Sequence, residues 1–262
     1  MKILRFTVRF ILVLLHTLFF LIAVILLNIV SIPFSKKTKI RNLSWLTKIW
    51  AKSFLKIISV EVVADTKNYN PNENYLIVGN HLSWVDVFIF GSLFNTQFIA
   101  KQEVSSWPLI GILSKVGGTI YIDRNKIIHG VRVSSIIAEN LKEGGSVVIF
   151  PESKSTIGNT VLKFKPSLFL SAIESGKKVL PVTLDFGLIN GKKFETDEDK
   201  IKFSWFDDMI FAPHFFKFIQ LNKIQMYVTV HEPISSTNGL DARGLAEKSY
   251  NIVLDGMKSL KK

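Results

Sequence analysis

The sequence predicts an α/β fold with a mainly parallel sheet flanked by helices, preceded by an N-terminal membrane-embedded helical segment. Three observations support this fold class. An uncharged apolar run opens the chain, short β-rich runs alternate with helical stretches after Val60, and no repeat or low-complexity linker divides residues 59–262. Strands separated by helices favour parallel pairing with helices on both faces. We therefore divide the chain into a membrane anchor with a basic amphipathic helix (1–58) and an α/β domain (59–262).

The first segment has the length and composition of a membrane helix. From Phe10 to Ser35 the chain has no Lys, Arg, Asp or Glu, and about 20 apolar residues suffice to cross the hydrocarbon core. A cleaved signal peptide is the competing interpretation, but its apolar core would be too long and no A-x-A-like site comes after it. Because cations flank the run on both sides, it either spans the membrane or dips into the cytoplasmic leaflet as one arm of a hairpin.

The second segment, LSWLTKIWAKSFLKIISV, places apolar residues at helical spacing and its lysines largely on the other face. This pattern predicts a basic amphipathic helix that lies in a headgroup region. The alternative is a helix packed on the protein's own core. Whether the first segment spans the membrane or dips into one leaflet, the α/β domain is expected to stay on the cytoplasmic side. We therefore expect a membrane-bound protein at the cytoplasmic face of the inner cell membrane.

Seven β-rich runs and five helical stretches make up the α/β domain. The predicted strands are residues 61–64, 75–78, 97–100, 119–122, 146–150, 179–184 and 225–230. The predicted helices are residues 85–94, 109–116, 127–142, 166–175 and 241–260. Residues 192–206, which contain the acidic sequence ETDEDK, are predicted to form an exposed excursion. In such sheets, functional sites gather beyond the carboxyl ends of the strands.

Charge and cysteine content restrict the chemistry. The chain has 33 Lys and Arg against 21 Asp and Glu, a formal net charge of +12. This charge favours anionic partners such as nucleic acid, acidic headgroups, an acidic carrier protein or a phosphorylated cofactor. The absence of cysteine excludes disulfides, thiolate metal sites and an acyl-cysteine intermediate. Any group transfer must therefore use oxygen or nitrogen groups.

The stretch NHLSWVD places His81 five residues ahead of Asp86, directly after the predicted strand YLIV. Residues five apart on a helix diverge by about 140°, so these side chains meet only if the chain turns between them. In one interpretation, Ser83 caps the next helix and Asp86 completes an S-x-x-D capping box. In the other, Asp86 holds one imidazole nitrogen of His81, and the second nitrogen acts as a general base. The spacing alone leaves both interpretations open.

Several common catalytic signatures are missing from the sequence. It has no G-x-S-x-G, H-E-x-x-H, Walker A or G-x-G-x-x-G pattern. A nucleophilic serine, a zinc protease and a nucleotide enzyme therefore each lose their usual mark. A base without its own nucleophile points to direct attack by a substrate hydroxyl.

Four ordered blocks resemble those of the glycerolipid acyltransferases, the PlsC-type family. NHLSWVD resembles the N-H-x4-D motif; KQEVSSWPLIGILSKVGGTIYIDR (101–124), FPE (150–152) and VLPVTL (179–184) resemble the second, third and fourth blocks. The resemblance implies the glycerolipid acyltransferase fold, with His81 as general base and Asp86 as its orienting partner. It also implies an acyl thioester of coenzyme A or acyl carrier protein as co-substrate, with no metal and no other cofactor.

The resemblance implies further site residues. Lys101 and Arg124 are expected to face an anionic headgroup or carrier phosphate, and Glu152 to organise the acceptor pocket. The alternatives are surface cations for the first two and a salt bridge for Glu152. For the tetrahedral oxyanion, we expect backbone N–H donors either at the helix start, residues 83–86, or in the glycine pair at 117–118.

The third block departs from the family form F-P-E-G-T-R, because this chain has FPESKST. The arginine fork that binds an acceptor's phosphate is replaced by Ser155, and Lys154 beside it offers only a point charge. We keep both residues as predicted substrate-binding groups. The next stretch, STIGNTVLKFKPSLFLSA, resembles relatives that acylate lyso-ornithine lipid.

Together these features indicate a membrane-associated O-acyltransferase that acylates the free hydroxyl of a lysolipid in phospholipid biosynthesis. The expected acceptor is 1-acyl-sn-glycerol-3-phosphate, which gives phosphatidic acid, and lyso-ornithine lipid or another lysophospholipid is the alternative. A non-catalytic membrane lipid-binding protein is the alternative of another class. We expect a membrane with anionic lipids as partner, and no nucleic acid, because part of the cationic charge lies beside the apolar run.

Overall fold

A computed structural model of the chain describes residues 2–106, 110–122 and 129–260. Strands β1 to β8 are Val60–Asp65, Tyr75–Gly79, Thr96–Lys101, Ile120–Ile122, Ser146–Ile149, Lys178–Ile189, Lys192–Lys193 and Ile224–Val230. Helices α1 to α9 are Lys2–Val30, Lys36–Ile57, Val85–Leu93, Ile110–Val116, His129–Lys142, Leu170–Ser175, Asp197–Phe203, Phe211–Phe218 and Ala242–Leu260. Short 3-10 helices cover Gln102–Ser106 and Pro166–Phe169.

The strands form one sheet in the order β1-β8-β6-β2-β5-β3-β4, with β7 paired to β6. All neighbouring pairs are parallel except β6 with β8 and β6 with β7. The predicted mainly parallel sheet is therefore confirmed. The β2–β6 ladder ends where Gly79 pairs with Val182, whereas β6 continues to Ile189. The turn after β2 thus lies beside the extension of β6, at the carboxyl edge where sites are expected.

Helices cover both faces of the sheet, as the prediction required. On β2, Tyr75 and Ile77 point into one core and Leu76 and Val78 into the other, since successive side chains of a strand alternate between faces. The first core also takes buried residues from α2, α3, α7 and α8, and the second from α5, α6 and α9. Because both faces of β2 are covered, its sequence is a continuous apolar run.

All seven predicted strands and all five predicted helices have counterparts, although β6 runs five residues past its predicted end and the helix predicted at 166–175 begins as a 3-10 helix. Residues 109, 127 and 128 of two predicted helices lie outside the described residues. The prediction of an exposed excursion at residues 192–206 is confirmed for the acidic centre, where residues 195–198 are exposed, and is wrong for the end of the stretch. This stretch contains β7 and α7, and Phe203 and Ser204 at its end are fully buried. The acidic residues that suggested an excursion form the first turn of α7, where carboxylates favour a helix start. Helix α8 also had no counterpart among the predictions.

Helices α1 and α2 form an antiparallel hairpin, called the hairpin below. Pro33 lies in the turn between them, and Ser35 caps α2 by accepting from the backbone N–H of Thr38. His16 Nε2 lies 2.6 Å from Ser53 Oγ, so the two helices hydrogen-bond to each other. By length and composition α1 could cross a membrane, and only 17% of its most apolar 18-residue window is buried inside the protein. A core helix would be mostly buried.

Helix α2 is part of the protein's core on one side. Ala51, Phe54 and Leu55 are buried, and the Phe54 ring stacks on Phe88 of α3 with ring centroids 4.1 Å apart. We expected this helix to lie in a headgroup region. Its apolar face instead covers the sheet, so the expectation is corrected for that face. The division of the chain after residue 58 stays a prediction.

Arg9 of α1 fastens the hairpin to the rest of the protein. Its side chain is buried, and its guanidinium donates to the carbonyl oxygens of Ile219, Leu221 and Asn222 and to Ser59 Oγ. The three carbonyls belong to the turn between α8 and β8. A buried cation is tolerated where hydrogen bonds satisfy it, so α1 has a fixed place on this turn.

Candidate active site

His81 and Asp86 meet at the turn between β2 and α3. The strand ends at Gly79 and the helix begins at Val85, and this reversal brings His81 Nδ1 to 2.7 Å from Asp86 Oδ2. Asp86 is fully buried. An Asp oxygen that accepts from Nδ1 places the ring proton there, so Nε2 carries the lone pair.

The Asp86 carboxylate also organises the backbone of the turn. The same Oδ2 accepts from the backbone N–H groups of Leu82 at 2.6 Å and Ser83 at 2.9 Å. The expectation that the Ser83 side chain caps α3 is wrong, because its hydroxyl donates to the carbonyl oxygen of Phe203 instead. Asp86 therefore serves both interpretations of the motif at once: it stabilises the turn and it orients the imidazole.

The His81 ring is held against one neighbour and open on its other side. It stacks on Phe150 with ring centroids 4.2 Å apart and planes 11° apart. The side chain is 19% exposed, and within the described part of the chain Nε2 forms no hydrogen bond. An oriented imidazole with an accessible Nε2 has the geometry of a general base.

Glu152 lies beneath His81 and binds its backbone. The residue comes after β5, the parallel neighbour of β2, so the two chain turns lie side by side. Glu152 Oε1 accepts from the backbone N–H of His81 and Oε2 from that of Leu162, each at 2.7 Å. Burial raises the pKa of Glu152 to about 7, against the two hydrogen bonds, which lower it. Its expected salt-bridge alternative has no counterpart among the described cations.

Asn80 ties the same turn to the opposite neighbour, a role that the sequence motif alone did not indicate. Its side-chain amide donates to the carbonyl oxygen of Leu184, and its Oδ1 accepts from the Leu184 N–H, both at 2.8 Å. The side chain continues the β2–β6 ladder one step beyond Gly79. The turn that carries His81 is thus fixed on both sides, by Asn80 to β6 and by Glu152 below. An Asn directly before the His was the available signal.

The segment 197–218, which contains α7 and α8, covers the catalytic turn. The Trp205 N–H donates to the Leu82 carbonyl at 3.0 Å, and the Trp84 indole N–H donates to His214 Nδ1 at 3.1 Å. With the Ser83 hydroxyl bond to Phe203, three consecutive residues of the H-x4-D motif contact this segment. Its placement could not be inferred from the local sequence, since these contacts join residues more than 100 positions apart.

The predicted substrate-binding residues of the third block have different environments. Ser155 is buried and its hydroxyl donates to the Trp205 carbonyl, and its role in substrate binding stays a prediction. The Lys154 side chain is 64% exposed, and its Nζ lies 4.0 Å from Asp207 Oδ1. Lys154 is thus available to an anionic group, with a carboxylate beside it.

The remaining site predictions concern two residues of the second block and the expected oxyanion donors. Lys101 ends β3, but its side chain lies outside the described residues, as does the whole of Arg124. Three expected donors are engaged within the fold: Ser83 N–H with Asp86, Asp86 N–H with the Ser83 carbonyl, and Gly118 N–H with the Lys115 carbonyl. The expectation that these three N–H groups bind the oxyanion is therefore corrected for this conformation, in which each donates to another group of the protein.

The chain, whose mainly parallel sheet carries the His–Asp turn at its carboxyl edge, belongs to the acyltransferase family. The family model described as "Acyltransferase" matches residues 60–185, so it contains β2, the catalytic turn, Glu152 and most of β6. The resemblance predicted from the four sequence blocks is confirmed.

Particular relatives differ in how much of the chain they match. The 1-acyl-sn-glycerol-3-phosphate acyltransferase of Neisseria gonorrhoeae is 39% identical over 124 residues, 47% of this chain and 48% of that protein. The chain thus spans about half the length of this relative. The lyso-ornithine lipid O-acyltransferase of Brucella abortus is 30% identical over 189 residues, 68% of this chain and 69% of that protein.

A solved structure extends the similarity of fold to the whole chain. The crystal structure of the 1-acyl-sn-glycerophosphate (LPA) acyltransferase PlsC from Thermotoga maritima matches with a TM-score of 0.65 and 21% sequence identity. The match covers 97% of this chain and 98% of that one, so it includes the N-terminal hairpin.

Proposed function

We propose that this protein is a membrane-bound O-acyltransferase that transfers a fatty acyl chain from an acyl thioester to the free hydroxyl of a lysolipid. The observation that carries the proposal is the 2.7 Å contact between His81 Nδ1 and Asp86 Oδ2, which directs an accessible Nε2 away from the fold. His81 Nε2 takes the hydroxyl proton while the lipid oxygen bonds to the thioester carbon. The tetrahedral intermediate then breaks its C–S bond, and the departing thiolate recovers the proton from Nε2.

The proposed acyl donor is acyl-CoA or acyl carrier protein. The chain has no cysteine, which favours direct transfer between the two substrates over an acyl-thiol intermediate on the enzyme. The proposed reaction requires no metal and no redox cofactor. Lys101 and Arg124 remain the proposed contacts for the donor's phosphates or for an anionic headgroup.

The acceptor proposed first is 1-acyl-sn-glycerol-3-phosphate, and a specific observation favours lyso-ornithine lipid as a second candidate. Lys154 stands beside Ser155, which occupies the place of the family's phosphate-binding arginine, and its Nζ lies 4.0 Å from Asp207 Oδ1. A phosphate dianion meets one point charge and one repelling carboxylate there, whereas a headgroup that carries both an ammonium and a carboxylate matches both charges.

We propose that the protein lies at the cytoplasmic face of the inner membrane with α1 embedded in one leaflet. Support comes from the packing of α1 along α2, since Arg9, His16 and Phe20 all contact the α2 arm or its end. Lys52 and Lys56 on α2 are exposed. A full span by α1 would draw these cations into hydrocarbon, which is costly.

One experiment tests the activity and both acceptors. Purified full-length protein in mixed micelles receives one labelled acyl donor, as acyl-CoA or as acyl carrier protein, with 1-acyl-sn-glycerol-3-phosphate, lyso-ornithine lipid or lysophosphatidylethanolamine. We expect one labelled product, and a loss of at least about 10²-fold in kcat for His81→Ala with unchanged thermal unfolding. If no pair gives product, or if His81→Ala keeps full turnover, a non-catalytic lipid-binding protein becomes the better description.

A further inference from the structure

A groove between α1 and α2 lies away from the catalytic turn and is outlined by both apolar and cationic residues. Its volume is about 490 Å³, a size in the usual range of small-ligand sites. Val8 and Leu12 of α1 and Ile57 of α2 supply apolar walls, and Arg5 and Lys56 supply cations. Within the described part of the chain, no groove residue forms a hydrogen bond with the segment 80–86.

The cations of the groove have no acidic partner in their own segment. Residues 1–60 contain no aspartate or glutamate. Elsewhere on the hairpin, Lys36 reaches Glu139 and Glu143 of the domain. Within the described residues Lys56 forms no ion pair, and Arg5 donates one hydrogen bond, at 3.2 Å to the Gln220 carbonyl. The groove therefore carries two positive charges that the fold leaves uncompensated.

The groove is preformed because Arg9 fixes one of its walls. The Arg9 guanidinium is engaged by three carbonyl oxygens and the Ser59 hydroxyl, so it holds α1 at a constant position relative to the end of α2. Its four Nη–H groups are engaged by the fold, which leaves Arg5 and Lys56 as the main cations available to a ligand. A preformed site loses less entropy on binding than one that must be ordered first.

We propose that this groove binds one anionic glycerophospholipid molecule of the bilayer. Its phosphate lies between Arg5 and Lys56, and one acyl chain runs past Val8 and Leu12 along α1. Charge complementarity selects the anionic headgroup. The exposed apolar side chains that continue along α1, such as Leu15 and Phe19, select a lipid over free phosphate, which has no use for apolar walls. The site is additional to the proposed acceptor site and does not depend on turnover.

Lipid binding to the full-length protein in a neutral detergent tests the proposal. Native mass spectrometry counts bound molecules during titration with dioctanoyl phosphatidylglycerol, with dioctanoyl phosphatidylcholine and inorganic phosphate as comparisons. We expect one tightly bound phosphatidylglycerol per chain and at least tenfold weaker binding of phosphatidylcholine. Inorganic phosphate should not displace the bound phosphatidylglycerol. The same result is expected for His81→Ala, so failure of the proposed catalysis and failure of this site are distinguishable.

Matched variants assign the binding to the groove. Lys56→Ala and Arg5→Ala should each weaken phosphatidylglycerol binding at least tenfold, and Leu12→Gln should weaken it through the apolar wall. Lys52→Ala removes an exposed cation from the same helix outside the groove, and it should leave binding unchanged. Because Arg5 contacts Gln220, Lys56→Ala provides the test that does not disturb the fold. Equal losses in Lys52→Ala and Lys56→Ala, or equal binding of both lipids, would overturn the proposal.

Discussion

The hairpin and the sheet domain, residues 59–262, differ in how they distribute apolar and charged side chains. Among the described residues, 18 of the 25 large apolar side chains that are exposed lie between Ile3 and Ile49. The sheet domain, by contrast, buries both faces of its central strands between helices. A soluble protein rarely leaves a contiguous apolar surface of this kind uncovered. The hairpin is therefore composed for contact with lipid, and the sheet domain for contact with water.

Charge shows the same division. Residues 1–60 carry ten of the lysines and arginines and no acidic residue, whereas residues 61–262 carry 23 cationic and 21 acidic residues. Nearly all of the net charge of +12 therefore belongs to the hairpin region. This distribution suits binding to anionic headgroups and leaves the sheet domain nearly neutral. The basic composition of the whole chain thus describes the hairpin region and not the sheet domain.

The strongest change that we predict concerns the assignment of catalysis to the sheet domain. Asp86→Asn should lower kcat by roughly 10²–10⁴-fold, because the imidazole loses the carboxylate that orients it and stabilises its protonated form. The KM for lysolipid and the fraction of protein bound to anionic vesicles should stay within about twofold, since the hairpin is unchanged. Steady-state kinetics and vesicle sedimentation measure these quantities.

Asp255→Asn is the matched control for that experiment, because Asp255 is a carboxylate on α9 whose described ion pair is with Lys258 of its own helix. It should change neither kcat nor vesicle binding. If Asp86→Asn lowers binding as much as turnover, Asp86 acts as a structural cap and the proposed role of His81 loses its support.

The next prediction tests how much the Arg9 hydrogen bonds between the hairpin and the sheet domain contribute to stability. Arg9→Met removes the donor for three carbonyls and the Ser59 hydroxyl, and we expect the free energy of unfolding to fall by roughly 3–5 kcal/mol. Chemical unfolding in detergent, monitored by tryptophan fluorescence, measures the loss. Arg5→Met is the control, since its single described bond to Gln220 predicts a loss of about 1 kcal/mol or less. An unchanged free energy of unfolding in Arg9→Met would show that these four hydrogen bonds do not fasten the hairpin to the rest of the protein.

A smaller change concerns the pH dependence of the sheet domain. Burial raises the pKa of Glu152 to about 7, so its protonated form stabilises the fold at low pH, and that contribution is lost as the pH rises through 7. Relative to Glu152→Gln, the wild type should therefore lose roughly 3 kcal/mol of stability between pH 5 and pH 8. Unfolding midpoints of both proteins across this range give the difference. Parallel pH profiles for the two proteins would contradict the raised pKa.

The weakest change concerns the backbone at Ser59, where the hairpin joins the sheet domain. Ser59 has a positive φ of 57°, a conformation that favours glycine, and relief of this strain alone is worth about 0.5–1 kcal/mol. Ser59→Gly should nevertheless give no gain in the free energy of unfolding, because it also removes the hydroxyl that binds Arg9. A gain of that size in chemical unfolding would show that the Arg9–Ser59 contact contributes little.

The fold of the sheet domain was predictable because its elements are local in the sequence. The apolar run at residues 75–79 is short and bounded by turn residues, as expected of a buried strand, whereas the stretch of α9 shows the helical period. The segment 197–218 was not predictable in the same way. The acidic start of this segment predicted solvent exposure. Phe203 at the end of α7 is nevertheless buried, by contacts with helices and strands far away in the chain.

The candidate site divides along the same line. The five-residue spacing of His81 and Asp86 was sufficient to predict that they meet only at a turn, and the structure contains that turn. The spacing did not reveal that Asn80 bonds the turn to β6, or that Glu152 after β5 bonds to it from the other side. Which strands are neighbours is a property of the sheet order. The same holds for Ser155: its position in the third block was visible in the sequence, but the Trp205 carbonyl that accepts a hydrogen bond from its hydroxyl was not.

The amino-acid sequence alone established that an apolar, cationic N-terminus precedes an α/β domain, and that a histidine and an aspartate are available for proton transfer without cysteine. These properties are composition and short spacings, which survive in any fold. Three-dimensional packing was needed to show that α2 covers the sheet, that Arg9 fastens α1 to a distant turn, and that Glu152 lies buried under His81. Burial and hydrogen bonding between segments depend on which surfaces meet, and that is set by the packing of the whole chain.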